Sequence, residues 1–193
     1  ENAYRGAEVG LSFNHKYKDW EIALGANALY TTSDVRKKDE IYANDYQYRK
    51  GHPVDAIFGL EADGFFMDEN DISNHAFQAF GTVKPGDIKY VDQNNDGVVN
   101  EDDEVPIGRA QAPFSYGLNL LLSYKNISLF TIGNGQLGAD SFINGSYYWI
   151  DGDKKYSDYL LGRWTEETKA TATYPRLTTM ESTYNYRNST FWL

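Results

Sequence analysis

The sequence predicts a mainly β fold: antiparallel hairpins of the transmembrane β-barrel kind, joined by long loops that carry one or two short helices. Three observations predict it. Apolar and polar residues alternate with a period of two over four stretches, which marks strands with one apolar face. Those stretches run for about ten to twelve residues, where a tilted strand needs roughly 9–11 to cross a bilayer and ordinary strands have about 5–6. Within each hairpin the connection is a few residues, yet about 80 residues separate the hairpins and about 60 follow, the asymmetry of an outer-membrane barrel. A soluble antiparallel sheet with one buried face shares the alternation, and periodicity alone does not separate the two.

The first strand is expected from about Tyr4 to His15, with Val9, Leu11 and Phe13 on one face and Gly10, Ser12 and Asn14 on the other. The second, about Trp20 to Thr31, alternates Trp20, Ile22, Leu24, Ala26, Ala28 and Tyr30 with Glu21, Ala23, Gly25, Asn27 and Leu29. Lys16–Asp19 is short and polar, so the two form a hairpin. In the second hairpin Tyr116, Leu118, Leu120, Leu122 and Tyr124 share a face, and Lys125-Asn126 makes the turn. The return, about Ile127 to Gly135, alternates less clearly, because Phe130 and Ile132 oppose Leu129. The chain is thus divided into a hairpin about 4–31, an acidic loop 32–115, a hairpin about 116–135 and a loop 136–193. Short helices are expected from Ser73, as cap, to Phe80 and from Lys154 to Trp164. Gly59 and Gly64 place bends in short strand pieces between Ala56 and Phe66.

Composition narrows the function classes. The 193 residues are 16% aromatic, too rich for a disordered chain, and contain no cysteine. A disulfide scaffold, a zinc-thiolate centre and a thiol nucleophile are therefore excluded. No run approaches 18 apolar residues, so no transmembrane helix is expected. Glu1–Gly6 lacks a signal pattern, so any targeting segment was removed or lay outside this piece. The net charge is −10, and Glu61–Glu104 alone accounts for it, with twelve acids against Lys84 and Lys89. Such a block repels nucleic acid and favours cations.

One motif within that block carries specific chemistry. Asp92-Gln-Asn-Asn-Asp-Gly-Val-Val-Asn-Glu-Asp-Asp103 has the spacing of a twelve-residue calcium loop. Asp92, Asn94 and Asp96 supply oxygens at positions 1, 3 and 5, and Gly97 permits the turn at 6. Val98 offers its carbonyl at 7, Asn100 falls at 9 and Asp103 closes at 12. A hard cation takes six to eight oxygens, and alternate residues curling about a glycine deliver them. The closing Asp, shorter than the Glu of an EF-hand, makes the loop look more like the dockerin type. Structural calcium is expected, and a metal-free Asx/Gly turn is the competing reading.

Other chemistry is weakly signalled. His15, His52 and His75 are scattered without metal-ligand spacing. Glu61 and Asp63 could pair as in a glycosidase, but with so many acids a solvated face is the better reading. There is no P-loop, no GxSxG and no GxGxxG opening a helix, so no enzyme is expected. Tyr147, Tyr148 and Trp149, then Tyr156, Tyr159 and Trp164, could stack on sugar rings, pack the loop or form a girdle at a membrane interface, and loop packing is the better reading. The first three are the speculative ligand-binding candidates.

At the level of whole motifs the chain resembles the SusC/RagA-like TonB-dependent transporters. The residues that carry the resemblance are Gly86–Asp103 followed by Ile107-Gly108 and Pro113, then Gly6-Ala-Glu8, Gly64-Phe-Phe66 and Tyr124-Lys-Asn126. Arg163-Trp164, Tyr174-Pro-Arg-Leu177 and Ser189-Thr-Phe-Trp-Leu193 complete the set. The resemblance implies a C-terminal part of a 22-stranded outer-membrane barrel, with the long loops outside a Gram-negative cell. It further implies import of glycans or peptides beneath a SusD-like lipoprotein, with energy supplied through TonB. No substrate residue follows from a motif. The alternative is a secreted calcium-dependent binding module, dockerin-like or carbohydrate-binding, although a dockerin carries two such loops and here there is one. A hydrolase using the acidic segment is the third reading, and no geometry supports it.

Overall fold

A computed structural model describes residues 1–150, 152, 155–178 and 185–193. The chain forms two compact units, one holding residues 1–39, 49–56 and 109–140 and the other 40–48, 57–108 and 141–193.

The first unit is an antiparallel sheet of four strands: β1 (Asn2–Tyr17) and β2 (Trp20–Val35), then, after a long excursion, the last two of the ten strands among the described residues, β9 (Phe114–Tyr124) and β10 (Ile127–Leu137). The order β1-β2-β9-β10 is a meander once the intervening loop is set aside. Both hairpins turn through two residues, Lys18-Asp19 and Lys125-Asn126. Each turn opens on a lysine at positive φ (55° and 52°), whose ammonium lies 5.3 Å from the ring of Tyr17 or Tyr124. Register joins the hairpins through Trp20↔Tyr124, Ile22↔Leu122, Leu24↔Leu120 and Ala26↔Leu118.

The register sorts the side chains into two faces. One carries Val9, Leu11, Phe13, Leu24, Leu118, Leu120, Leu122 and Leu129 in cross-strand rows. Aromatic residues border it at both ends: Tyr17, Trp20 and Tyr124 near the turns, and Tyr30, Phe114 and Tyr116 at the far end. The opposite face holds Ser12, Asn14, Asn27, Asn119, Asn134 and Gln136, together with the apolar Leu121, Phe130 and Ile132. Its centre is a reciprocal lock. Gly25-Ala-Asn27 on β2 runs antiparallel to Gly117-Leu-Asn119 on β9, so each Asn lies across the other strand's Gly. A Cβ at Gly25 would stand 2.5 Å from the Asn119 amide, and one at Gly117 2.4 Å from that of Asn27.

An ion cluster finishes the far end of this sheet. Asp55, with only 8% of its side chain exposed, accepts from the Gln111 N–H (2.9 Å) and the Ser33 hydroxyl (3.2 Å), and pairs with Arg109 (3.4 Å). Burial works against its ionisation, but the backbone N–H groups of Gln111 and Asp55 and the Arg109 guanidinium outweigh that and hold the carboxyl below its usual range. A depressed carboxylate stabilises the fold above its unfolded pKa, about 3.9, and loses that contribution as pH falls through the lower folded value. Asp55→Asn is therefore expected to flatten the acid limb of a stability-against-pH curve below about pH 4. An unchanged limb would show that the cluster contributes nothing there.

The second unit holds short strands and loops around one core. Its elements are β3 (Ala56–Gly59), whose first residue falls in the sheet unit, β4 (Ala62–Phe65), α1 (Glu69–Asn74), β5 (Phe77–Gln78), β6 (Ile88–Tyr90), β7 (Val98–Val99) and β8 (Val105–Arg109), whose last residue also does. β3 pairs with β8, β4 with β6, and β5 with β7. The core comprises Leu60, Ile88, Tyr90, Val99, Ile150, Leu160, Tyr174 and Trp192. The fold is thus mainly antiparallel β, with α1 and three 3-10 turns as the helical parts among the described residues.

Both helix expectations shift. The cap of α1 is Asp68, five residues before Ser73, and its carboxylate accepts from the Asp71 N–H at 2.8 Å. The helix ends at Asn74, since Phe77-Gln78 is drawn into pairing with β7. In place of the second helix there is a 3-10 turn at Asp158–Gly162; Lys154 lies outside the described residues.

Candidate functional site

The calcium-type loop follows β6, whose Ile88 and Tyr90 are fully buried and fix where it starts. β7 occupies loop positions 7 and 8 and pairs in parallel with β5, through Phe77↔Val98 and Gln78↔Val99. The carbonyls of Gly97 and Val99 accept from Phe77 and Ala79 (both 2.9 Å). Alternation along a strand then turns the Val98 carbonyl away from β5. Gly97 has φ +87° with open space where a Cβ would sit, so conformation alone calls for glycine there.

Each side chain of the motif is held by the loop's own backbone. Asp92 Oδ2 accepts from the Gly97 N–H (2.9 Å), while its Oδ1 is buried with no hydrogen-bond partner. Asn94 Oδ1 accepts from the Asp96 N–H (2.9 Å), and Asp96 Oδ1 from the Val98 N–H (2.8 Å). Asn100 caps the 3-10 turn Glu101–Asp103 by accepting from the Asp102 N–H. Asp103, fully buried, closes the loop: Oδ1 accepts from the Gln93 N–H and Oδ2 from the Asn100 N–H, each at 2.8 Å. Among the described residues no three acidic or histidine side chains converge as metal ligands. Backbone N–H groups, rather than a common centre, set where these carboxylates point. The donor set nevertheless fits a hard cation: all oxygen, with Asp92 Oδ1 withdrawn from water and left without a donor.

A second segment, absent from the motif, reaches the loop. Tyr46 donates its hydroxyl to the Asp102 carbonyl (2.7 Å), and the Gln47 amide donates to Asp102 Oδ1 (3.2 Å). Burial, then the charges of Asp103, Asp102, Asp92 and Asp96, raise the Tyr46 phenol above its ordinary value, so it stays a neutral donor. Sequence reasoning missed both residues, because more than fifty residues separate them from Asp102 and nothing local marks the contact.

The other candidates are dispersed. His15 stacks on Phe13, and His75 sits edge-on to Phe66 at the end of α1. His52 closes a turn on the Arg49 carbonyl. Glu61 accepts from the Gln93 amide, whereas Asp63 lies 3.7 Å from Lys89. Trp149 stacks on Tyr186 with ring centroids 5.6 Å apart, and Tyr148 is half-buried against Tyr159 and Tyr147. Tyr147 is the exposed member of its triplet, and its carbonyl accepts from the Ser157 hydroxyl at 2.7 Å.

Comparison with known proteins bears on the whole chain. No family model matches it. It is 27% identical over 128 residues to the TonB-dependent receptor P26 of Formosa agariphila, an alignment covering 65% of this chain and 13% of that receptor. In fold it is similar to a solved structure of the RagAB peptide importer in the "closed-closed" state, with a TM-score of 0.61 and 19% identity. That match covers 96% of this chain and 21% of the importer chain. The chain therefore spans about an eighth to a fifth of the length of these relatives. Motifs in family order, a TonB-dependent relative and a shared fold point the same way: the chain is similar to part of a SusC/RagA-like transporter.

Proposed function

We propose that the chain is a wall-and-loop section of an outer-membrane nutrient importer of the TonB-dependent kind. In this reading the parent protein takes up glycans or peptides beneath a SusD-like surface lipoprotein and draws energy from TonB. One observation carries the reading, the bare apolar face of the four-stranded sheet. Leu11 is 70% exposed, Leu118 55% and Leu129 56%, in a continuous patch far larger than scattered surface leucines make. From the Tyr17 row to the Ala7 row is ten residues, which at about 3.3 Å each and a tilt near 40° spans roughly 25 Å. That is the height of a lipid-facing band, and the bordering aromatics sit where interfacial girdles belong.

In this reading the two-residue turns face the periplasm and the long loops lie outside the cell. This section contains no cysteine, so in a full-length protein cleared of any cysteine elsewhere the orientation is testable in whole cells. In the full-length protein, Ile41→Cys (Ile41 is 97% exposed) is expected to react with an impermeant maleimide in intact cells. Asn126→Cys should react only after the outer membrane is opened. Labelling of Asn126→Cys in intact cells would overturn the orientation.

The acidic loop is stiffened by calcium in this reading, with Asp92, Asn94, Asp96, Val98, Asn100 and Asp103 as ligands. Asp92 Oδ1 is poised for it, whereas Asp96 must release a backbone N–H to turn inward. Calcium at 100 times its Kd should stabilise the fold by about 2.7 kcal/mol, raising Tm by about 5–10 °C. No heat of binding and no shift would sink it. Ligand contact by Tyr147 belongs to the same proposal, with Tyr148 and Trp149 supporting it from the core side. Unchanged ligand affinity in Tyr147→Ala would remove that role.

A further inference from the structure

We infer that Tyr46 and Gln47 are positioning residues of the cation loop, so that cation occupancy and the docking of segment Glu40–Tyr48 onto the loop are coupled. This rests on the calcium reading above and extends it to residues outside the twelve-residue motif. The geometry begins with the segment's own rigidity. Asp45–Gln47 is a 3-10 turn in which the Gln47 side-chain carbonyl accepts from the Asn44 N–H at 3.1 Å. The engaged oxygen orients the carboxamide of this residue, which is only 8% exposed, and its Nε2 donates to Asp102 Oδ1 at 3.2 Å. The Tyr46 hydroxyl takes the Asp102 carbonyl beside it. Two adjacent residues thus grip both the main chain and the side chain of one loop residue.

That residue immediately precedes the closing ligand. Asp103 ties the two ends of the loop through Gln93 and Asn100, and it sits in the same 3-10 turn as Asp102. Holding Asp102 therefore fixes the backbone from which the Asp103 carboxylate projects. A cation must gather Asp92, Asp96 and Asp103 against their mutual repulsion, and a pre-set turn reduces the reorganisation required. Linkage makes the effect reciprocal: whatever docking adds to cation affinity, the cation adds to docking. The raised Tyr46 phenol agrees with a hydroxyl lying in the field of the loop carboxylates.

The test uses the full-length protein in detergent with calcium and terbium ions as probes. Terbium emission sensitised by tyrosine, with calcium competition, gives the affinity. Hydrogen exchange of residues 40–48 with and without calcium gives the docking. Tyr46→Phe is expected to weaken cation affinity by about 2- to 10-fold, the worth of one neutral hydrogen bond, and to lose much of the sensitised emission. Tyr48→Phe is the control, since its hydroxyl bonds the Tyr42 carbonyl and backbone N–H within the segment; it should leave affinity unchanged. Calcium should slow exchange across 40–48 at least 5-fold in the wild type, a measurement that needs no variant to fold. If calcium binds with measurable heat while exchange in 40–48 and the Tyr46→Phe affinity stay unchanged, the coupling is wrong and the calcium reading stands. If neither calcium heat nor terbium emission is seen, the calcium reading fails and takes the coupling with it.

Discussion

Asp87→Ala is expected to cost about 3–5 kcal/mol of stability, the penalty for breaking a buried ion pair and leaving its partner charged. Asp87 is fully buried, with Arg176 at 2.8 Å and the Asn185 amide donating at 2.7 Å. Its second oxygen accepts from the Lys84 N–H, and its own N–H closes the Lys84-Pro-Gly-Asp87 turn on the Lys84 carbonyl. Asn185 passes the network on by accepting from the Ile88 N–H, and its carbonyl takes the Trp192 indole N–H. Trp164 lies against Gly86 in the space a side chain there would need, and the Arg176 N–H bonds the Gly86 carbonyl. One carboxylate therefore anchors a turn, a strand start and two distant loops. Thermal unfolding and protease resistance of residues 57–108 would report the loss. Asp87→Asn keeps the acceptor but drops the charge and should fall between. A double-mutant cycle with Arg176→Ala should return a coupling of about 1–3 kcal/mol; additivity would mean that the pair is incidental.

This node explains what the sequence motifs are for. Gly86-Asp87, Arg163-Trp164, Tyr174-Pro-Arg-Leu177 and Ser189-Thr-Phe-Trp-Leu193 lie far apart in the chain, yet all enter the core or the Asp87 network of the second unit. No local pattern announces that Asp87 is buried, because its partners come from remote segments. Asp87 is one of twelve acids in one acidic stretch, and spacing alone does not single it out from them. The wall strands were legible for the opposite reason: a face presented to one medium and a face presented to another write themselves into every second residue. Their ends were less so. β2 continues through Thr32-Ser-Asp34 to Val35 and β1 starts at Asn2, because polar strand ends carry no alternation to read. The pairing of β2 with β9 was also hidden. It depends on two Gly-x-Asn triplets whose complementarity appears only once the strands lie side by side. In the calcium-type loop the ligand positions could be named from spacing, while their hydrogen-bonded orientations and the Tyr46–Gln47 grip are tertiary facts.

The other large effect is expected on the wall. Leu118 sits near mid-height of the apolar band, cross-strand from Ala26 and Gly133 and exposed to whatever medium covers that face. If the medium is lipid, Leu118→Arg should cost about 2–4 kcal/mol, the value for a cation at the bilayer midplane of a barrel. In the full-length protein this should appear as reduced assembly into the outer membrane and a lower denaturant midpoint for the fraction that does assemble. Asn134→Arg is the matched control. It lies one strand over on the opposite face, paired with Gly117, and is likewise exposed. A water-filled interior accommodates that guanidinium at little cost, so assembly should stay near wild type. The contrast is what discriminates, because a soluble sheet covered by protein on its apolar face would also reject Leu118→Arg. Such a sheet, however, would show no dependence on bilayer thickness. Moving the charge along the face supplies that dependence: Ile127→Arg, beside the Tyr124 border, should cost only about 0–1 kcal/mol, since the interface lets the guanidinium reach water. A graded loss from Leu118 to Ile127, with Asn134→Arg neutral, follows from a lipid-facing band of finite height. Equal losses at all three positions would rule that band out.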